Sequence, residues 1–261
     1  MFTNPFAELA ASIPPGAIQT YVVLMVILVA AGTLFDVLHK KSAKYFYENW
    51  RKATSKGSRQ LASGEVRSLA VQTALSEVLT SSEFCNPRRR AAHLLTMYGF
   101  LAYVITTAIM VFGYPTPATP APSIWPALWH LGALMVCIGG YWFWFFIRVD
   151  VAAEGNSPFR VIRADLFILS LLASATFALI WSFSQSAGAS GWANLFFGLF
   201  VIATTVLFAG VPWSKFSHMF FKPAAALQKR VAEADGSRSN LPPPTDKPEA
   251  FGKVDRLPQN Y

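Results

Sequence analysis

The sequence has little charge for its 261 residues, since Asp, Glu, Lys and Arg together make up only 14% of it. A soluble domain is roughly a quarter charged, so much of the usual solvating surface is missing. Hydrophobic residues make up 53%, and the mean hydropathy is +0.37. These values exclude a disordered chain and argue against a soluble globular fold. They favour an integral membrane protein whose apolar side chains face lipid.

Cysteine and charged residues within the apolar runs are also scarce, and each scarcity argues against a class of function. Cys85 and Cys137 are the only cysteines, which excludes a disulfide framework and any CxxC metal site. Charged residues hardly enter the apolar runs: Asp36 ends the first and Asp165 begins the fourth. Because proton and ion pumps usually rely on carboxylates or lysines within the membrane, this pattern argues against transport driven by buried charge.

Five apolar runs are long enough to cross a bilayer, which needs about 20 residues per helix. None has a clean polar face of helical period, as expected for helices surrounded by lipid or protein. The sequence therefore predicts an all-α bundle of five transmembrane helices, with spans at about 17–38, 93–112, 125–147, 166–183 and 192–213.

The basic residues predict the orientation of this bundle. All 22 Lys and Arg lie in alternate loops: 11 within 40–90, three within 148–163 and eight within 215–256. By the positive-inside rule, the N-terminus is outside and the C-terminus is cytoplasmic. Basic side chains spread over three segments near helix ends fit membrane anchoring, which argues against nucleic-acid binding.

Three regions follow from this layout: a periplasmic arm at 1–16, a membrane domain at 17–223 and a partly disordered cytoplasmic tail at 224–261. The arm has no basic segment of the kind that begins a signal peptide. The tail is either a solvated end or a docking peptide with Phe251 and Tyr261 as apolar anchors.

The membrane domain carries a cytoplasmic insert at 40–92. Its run GEVRSLAVQTALSEVL predicts an amphipathic helix that lies on the membrane or on a partner. We interpret the insert as a surface-lying connector in preference to a separate functional domain. The predicted apolar stripe comprises Val66, Leu69, Ala70, Ala74, Val78 and either Leu75 or Leu79.

Histidine is the unusual residue near the membrane. His39, His93 and His218 belong to three different helices on the predicted cytoplasmic side, whereas His130 is alone near the outer end of the third span. Each one can be an interfacial side chain, a packing residue or an axial ligand to haem iron. Two imidazoles from separate helices can hold one b-type haem, and the positions argue against a second.

The surroundings of His93 suit such a group. Arg89 and Arg90 precede it and can pair with haem propionates. Gly99, farther along the same span, lets either another helix or a flat cofactor approach closely.

Two segments resemble a known family. EVLTSSEFCNPRRRAAHLLTMYGFLAYVITT (77–107) and PWSKFSHMFFKP (212–223) are similar to segments of the b-type cytochrome subunits in the nitrate-reductase gamma and heterodisulfide-reductase membrane-subunit group. Within this group, the size, the long insert and the lack of a CxxC segment most resemble the membrane anchors of adenylylsulfate reductase. The resemblance implies that His93 and His218 ligate haem iron. Two-haem relatives have another histidine where this chain has Phe200.

The sequence thus leads to two hypotheses. In the first, the protein is a non-catalytic subunit of a bacterial inner-membrane complex. It binds one haem b through His93 and His218, with His39 as the substitute ligand. It passes electrons between the quinone pool and a cytoplasmic redox enzyme such as adenylylsulfate reductase. In the second, it is a cofactor-free anchor that tethers such an enzyme.

Overall fold

The computed structural model describes residues 3–39, 41–82, 84, 86–150, 155, 157–213, 218–238 and 241, with backbone alone at 42, 213 and 218–220. The chain forms two compact units. We call Met1–Asp36 with Ala91–Ser217 the membrane unit, and Val37–Arg90 with His218–Tyr261 the insert unit. The division groups the chain from His218 with the insert, whereas the sequence analysis places the boundary at 223.

The described residues are helical and include no strand, as the sequence predicts. Five helical segments are long and apolar enough to cross a membrane, which confirms the predicted number of spans. Their α-helices are α2 (Pro15–His39), α5 (Pro87–Gly113), α6 (Ile124–Trp142), α7 (Leu166–Ser186) and α8 (Ser190–Ala209). A π-helical segment, Phe143–Ile147, extends α6, and short 3₁₀ segments occupy Arg163–Asp165 and Val211–Trp213.

Two ends of the spanning segments differ most from the predicted bounds. The helix that carries His93 already begins at Pro87, because the side-chain oxygen of Asn86 accepts hydrogen bonds from the backbone amides of Arg88 and Arg89. Proline suits the first position of a helix, where its missing N–H is no loss. The fifth span ends at Ala209, before 213, since Gly210 and Pro212 follow and do not continue an α-helix.

The N-terminal arm folds against one end of the membrane unit. Helix α1 (Pro5–Glu8) begins after Asn4, whose side chain accepts from the amide of Phe6 and donates to the carbonyl of Tyr114 at 2.8 Å. Phe6 is 5% exposed and meets Trp129 and Trp181 edge-on, at centroid distances of 5.6 and 5.3 Å. The arm is therefore a packed cap on this end, which we call the α1 end.

The opposite end of the membrane unit is closed by a turn after α8. Val211 is completely buried there, and Gly32 of α2 lies close to it: a Cβ at Gly32 would be 3.1 Å from the Val211 Cβ. A Cβ at Gly210 would similarly meet the Leu166 side chain at 3.2 Å. Small residues thus let the helices approach closely at this end, as is common in membrane bundles.

The insert unit contains α3 (Ser42–Thr54), α4 (Ser63–Thr73), a π-helical segment Ala74–Leu79 and α9 (His218–Ala234). Its parts are joined by specific polar contacts. The Arg230 guanidinium on α9 donates to Glu77 at 3.0 Å and to the Ser76 hydroxyl at 2.6 Å. The turn at Ser58 and Arg59 donates to the carbonyls at 234 and 235, which end α9. The insert and the first part of the tail therefore fold together.

The π-helical segment changes which insert residues are buried. Val66, Leu69 and Ala70 are half-buried, as the predicted stripe requires, but Leu75 and Leu79 are 55% and 47% exposed. A π-helix closes hydrogen bonds over five residues, so its onset at Ala74 shifts the helical phase. The shift turns polar Ser76 and Glu77 inward, where Arg230 binds them.

Candidate functional site

The four histidines occupy different environments. His39 is the last residue of α2 and is exposed, whereas His93 lies within α5 and is half-buried. His218 is the first residue of α9, and its side chain lies outside the described part of the chain. His130 lies within α6 at the α1 end. His93 belongs to the membrane unit and the other two proposed ligands to the insert unit.

Both ring nitrogens of His130 have hydrogen-bond partners. Nδ1 is 2.6 Å from the Pro126 carbonyl oxygen, and Nε2 is 2.8 Å from the Ser182 hydroxyl on α7. The ring also meets the neighbouring Trp129 edge-on at 4.9 Å. His130 thus connects α6 to α7, and both of its ring nitrogens are engaged in this arrangement. Of the three roles considered for it, interfacial side chain, packing residue and haem ligand, the structure supports the packing role.

His93 lies on a flank of α5 that α6 does not cover. The side of α5 that faces α6 includes Ala92 and Thr96, because a Cβ at Gly139 of α6 would collide with both. It also includes Gly99, which a Cβ at Gly132 of α6 would meet. An α-helix turns about 100° per residue, so His93 is rotated by about that angle from Ala92. Arg89 precedes His93 by four residues and shares its flank. The helix therefore presents an imidazole and a guanidinium side by side, away from α6.

Gly99 is occupied by a helix and does not offer an open face for a cofactor. A Cβ at this position would lie 2.8 Å from the Gly132 carbonyl oxygen and 2.9 Å from the Val136 amide nitrogen, both on α6. Gly132 is equally close to Gly99 and Tyr103 in return. Of the two alternatives for Gly99, the structure has the close approach of another helix, which corrects its assignment to the cofactor.

Arg89 and Arg90, which precede His93, belong to the insert unit and contact other residues of that unit. The Arg90 Nε donates to the Thr80 carbonyl at 2.7 Å. The Arg89 guanidinium lies 5.6 Å from the centre of the Phe84 ring, and the Lys222 ammonium lies 5.1 Å from the same ring. Such cation–π contacts attract both cations to the face of the same ring. A guanidinium has five N–H donors, so one arginine can bind several partners at once.

Phe200 takes part in the aromatic core. It is 6% exposed and stacks on Trp181, with ring centres 5.6 Å apart and planes inclined by 17°. Position 200 is thus filled by ring packing in this chain.

Sequence reasoning missed a group of hydroxyls in the interior of the membrane unit. The Ser174 and Thr204 hydroxyls are 2.8 Å apart and link α7 to α8. The Tyr21 hydroxyl lies 3.0 Å from both the Val201 carbonyl and the Thr205 hydroxyl, which links α2 to α8. Tyr103 is also buried, and its hydroxyl has no hydrogen-bond partner among the described residues. The Ser174–Thr204 and Tyr21–Thr205 contacts satisfy these hydroxyls and hold the helices together. The isolated polar residues within apolar runs were the available signal.

It also missed a buried ion pair at the end opposite α1. The Arg148 guanidinium is 2.6 Å from the Asp165 carboxylate, and their side chains are 2% and 11% exposed. In the sequence, Arg148 is one of the basic residues that predict the orientation, and Asp165 is the start of the fourth apolar run. Neither position indicates that the two side chains pair.

No three His, Cys, Asp or Glu side chains of the described residues come together in a way that could hold a metal ion. A bis-histidine haem requires only two such ligands. One imidazole on a flank outside the α6 contact, with an arginine one turn before it, fits half of that requirement.

Comparisons of the chain with protein-family models, curated proteins and solved structures found no match.

Proposed function

We propose that this protein is the membrane anchor of a bacterial redox complex, with one haem b and a soluble enzyme on the same side of the inner membrane. The observation that carries the proposal is that Arg89 precedes His93 by four residues on α5, a spacing that places both on one flank, outside the α6 contact. By contrast, His130 is engaged in hydrogen bonds between helices. The distribution of Lys and Arg supports a cytoplasmic location for the insert and the tail.

In this proposal, His93 and His218 are the axial ligands of the haem, and His39 substitutes if either fails. Arg89 and Arg90 pair with the propionates, since guanidinium groups form strong bidentate bonds with carboxylates. The bound haem would supply one-electron transfer. The protein sets the potential of that step through the ligands, the nearby positive charge and the exclusion of water.

The insert unit supports the anchoring part of the proposal. Arg230, Glu77 and Ser76 join α9 to the insert, and the 58–59 turn closes the end of α9. A folded unit outside the spans offers a preorganised surface to a partner, which lowers the entropy cost of docking. We propose that this surface holds a cytoplasmic redox enzyme, for which adenylylsulfate reductase is the first choice, and that quinone exchanges electrons with the haem.

The spectrum of the purified protein tests the haem assignment. We expect a b-type α band on reduction with dithionite, and its loss in His93→Ala and in His218→Ala. His130→Gln is the matched control, because glutamine retains hydrogen-bonding groups while removing an imidazole that the proposal does not use. A band that survives in the double variant His93→Ala/His218→Ala, or that His130→Gln alone abolishes, contradicts the ligand assignment.

A cofactor-free tether is the second candidate, and the compact insert unit favours it independently of any histidine. Capture of adenylylsulfate reductase by the double variant separates the two functions. If the wild-type protein captures the enzyme but has no α band, the tether is correct. If the wild type shows the band and the double variant loses only the band, the redox anchor is correct.

A further inference from the structure

The described residues 159–163, in the loop between α6 and α7, are exposed and include large apolar side chains. Phe159, Val161 and Ile162 are 91%, 61% and 45% exposed, and Arg160 and Arg163 are exposed beside them. The loop joins the ends of two spans, so it lies at the depth of the headgroups when the helices cross a bilayer. Apolar side chains interleaved with arginine suit that depth, because the rings enter the acyl boundary while the guanidinium groups meet phosphate.

A buried arginine holds the 157–165 part of this loop. The Arg148 guanidinium donates to the Ser157 carbonyl at 2.7 Å, to the Arg160 carbonyl and to the Asp165 carboxylate at 2.6 Å. It also lies 4.2 Å from the centre of the Trp144 ring. These contacts hold both sides of the loop, so Arg160 and Arg163 are presented by a preorganised segment.

A groove runs along the membrane unit near the same loop. It has a volume of about 260 Å³ and lies between α7 and the end of α6 with its π-helical extension. Its lining is mostly apolar and aromatic and includes Tyr141, Trp144, Phe145, Leu169, Ala173 and Thr176. The Tyr141 and Thr176 hydroxyls are hydrogen-bonded to each other at 2.9 Å, so both are satisfied within the wall of the groove.

The groove and the arginines are suitably spaced for one ligand. Leu169 lies six residues after Arg163, and at 1.5 Å per helical residue this separation is about 10 Å along the axis. A molecule with an anionic head and an apolar chain is therefore long enough to extend from the groove to these arginines. The groove lies within the spanning helices, at a depth that bilayer lipids reach and a soluble protein does not.

We propose that an anionic phospholipid binds at α6 and α7, with one acyl chain in the groove and its phosphate on Arg160 and Arg163. Charge complementarity selects the anionic headgroup, and the Arg148 contacts keep the loop in place to receive it. The site is independent of haem and of any soluble partner.

Native mass spectrometry of the full chain in detergent tests this site, with phosphatidylglycerol and phosphatidylcholine added in competition. We expect phosphatidylglycerol to be preferred. A basic residue near an anionic membrane surface is worth about a fivefold preference, so Arg160→Gln/Arg163→Gln should lower the selectivity about 25-fold. Arg160→Lys/Arg163→Lys keeps the charge and should keep most of the selectivity.

A second pair of variants tests the acyl-chain groove. Ala173→Phe places a ring in the groove and should reduce the number of retained lipids by one. Leu134→Phe is the matched control, because Leu134 is 47% exposed on α6 and does not line the groove. Unchanged selectivity in the double glutamine variant overturns the headgroup site. Equal lipid retention in the two phenylalanine variants overturns the groove assignment, and loss of a protein partner without loss of lipid assigns the loop to protein docking.

Discussion

Replacing Arg148 should destabilise the membrane unit more than any exposed arginine does. Its guanidinium satisfies three acceptors at once: the Ser157 carbonyl, the Arg160 carbonyl and the Asp165 carboxylate. Arg148→Met keeps much of the side-chain length but removes every donor. The variant leaves the Asp165 carboxylate buried with only the Ile162 amide as its partner, at 2.9 Å.

The structure sets the expected size of this effect. Removing one partner of a buried ion pair costs about 3–5 kcal/mol, because the remaining charge is left without compensation. Asp165→Asn should cost less, about 1–3 kcal/mol, since an amide oxygen still accepts hydrogen bonds and Arg148 retains its two carbonyl acceptors.

The free energy of unfolding can be measured by titrating mixed micelles with sodium dodecyl sulfate and following helicity by circular dichroism. Arg67→Met is the control, because Arg67 is exposed on α4, and exposed substitutions usually change stability by no more than about 0.5 kcal/mol. If Arg148→Met costs less than about 1 kcal/mol, Arg148 does not hold the loop and the preorganisation argued for the lipid site fails.

Three other predictions concern helix packing and the insert unit. Gly99→Ala should lower the free energy of unfolding by about 1–3 kcal/mol in the same assay, because its Cβ would press on the α6 backbone. Gly198→Ala, where a Cβ meets nothing within 4 Å, should be neutral or stabilising. Equal effects of the two substitutions would contradict the close α5–α6 approach. Hydrogen bonds from the Ala62 amide and then from Arg59 lower the pKa of Glu65, so its stabilisation of the α4 start is present above the ordinary pKa of 4.5 and is lost as pH falls through the lowered value. Amide exchange at 63–66 should therefore become faster over that pH range in the wild type and not in Glu65→Gln. An identical pH profile in the variant would refute the capping role of Glu65. Arg230→Ala should speed amide exchange in the 74–79 segment because it removes the bonds to Glu77 and Ser76, whereas exposed Lys229→Ala should not; equal exchange in the two variants would contradict this role.

The membrane spans were the most predictable part of the fold. Their apolar length is set by the bilayer, so the runs around α2, α6 and α7 are visible without any knowledge of contacts. Helix ends depend on local capping, which explains the early start at Pro87 and the early stop at Ala209. Asn4 followed by Pro5 was a readable signal for α1, but its packing on the aromatic rings of α6 and α7 was not.

The surroundings of the candidate site were less predictable because they depend on pairing between distant residues. Periodicity placed Leu75 or Leu79 on the buried stripe, and only the π-helical shift reveals that Glu77 turns inward toward Arg230. Gly99 indicated a close approach, but the sequence did not distinguish a neighbouring helix from a flat cofactor, whereas the structure has α6 at this position. The ligand pair His93 and His218 remains a prediction, since the side chain of His218 lies outside the described residues.

The central claim is tested most directly by counting haem in the purified full chain as its pyridine haemochrome. The proposal predicts haem b at one per chain in the wild type and none in His93→Ala/His218→Ala. Two haems per chain, or no haem in wild-type protein purified from haem-replete cells, would contradict it.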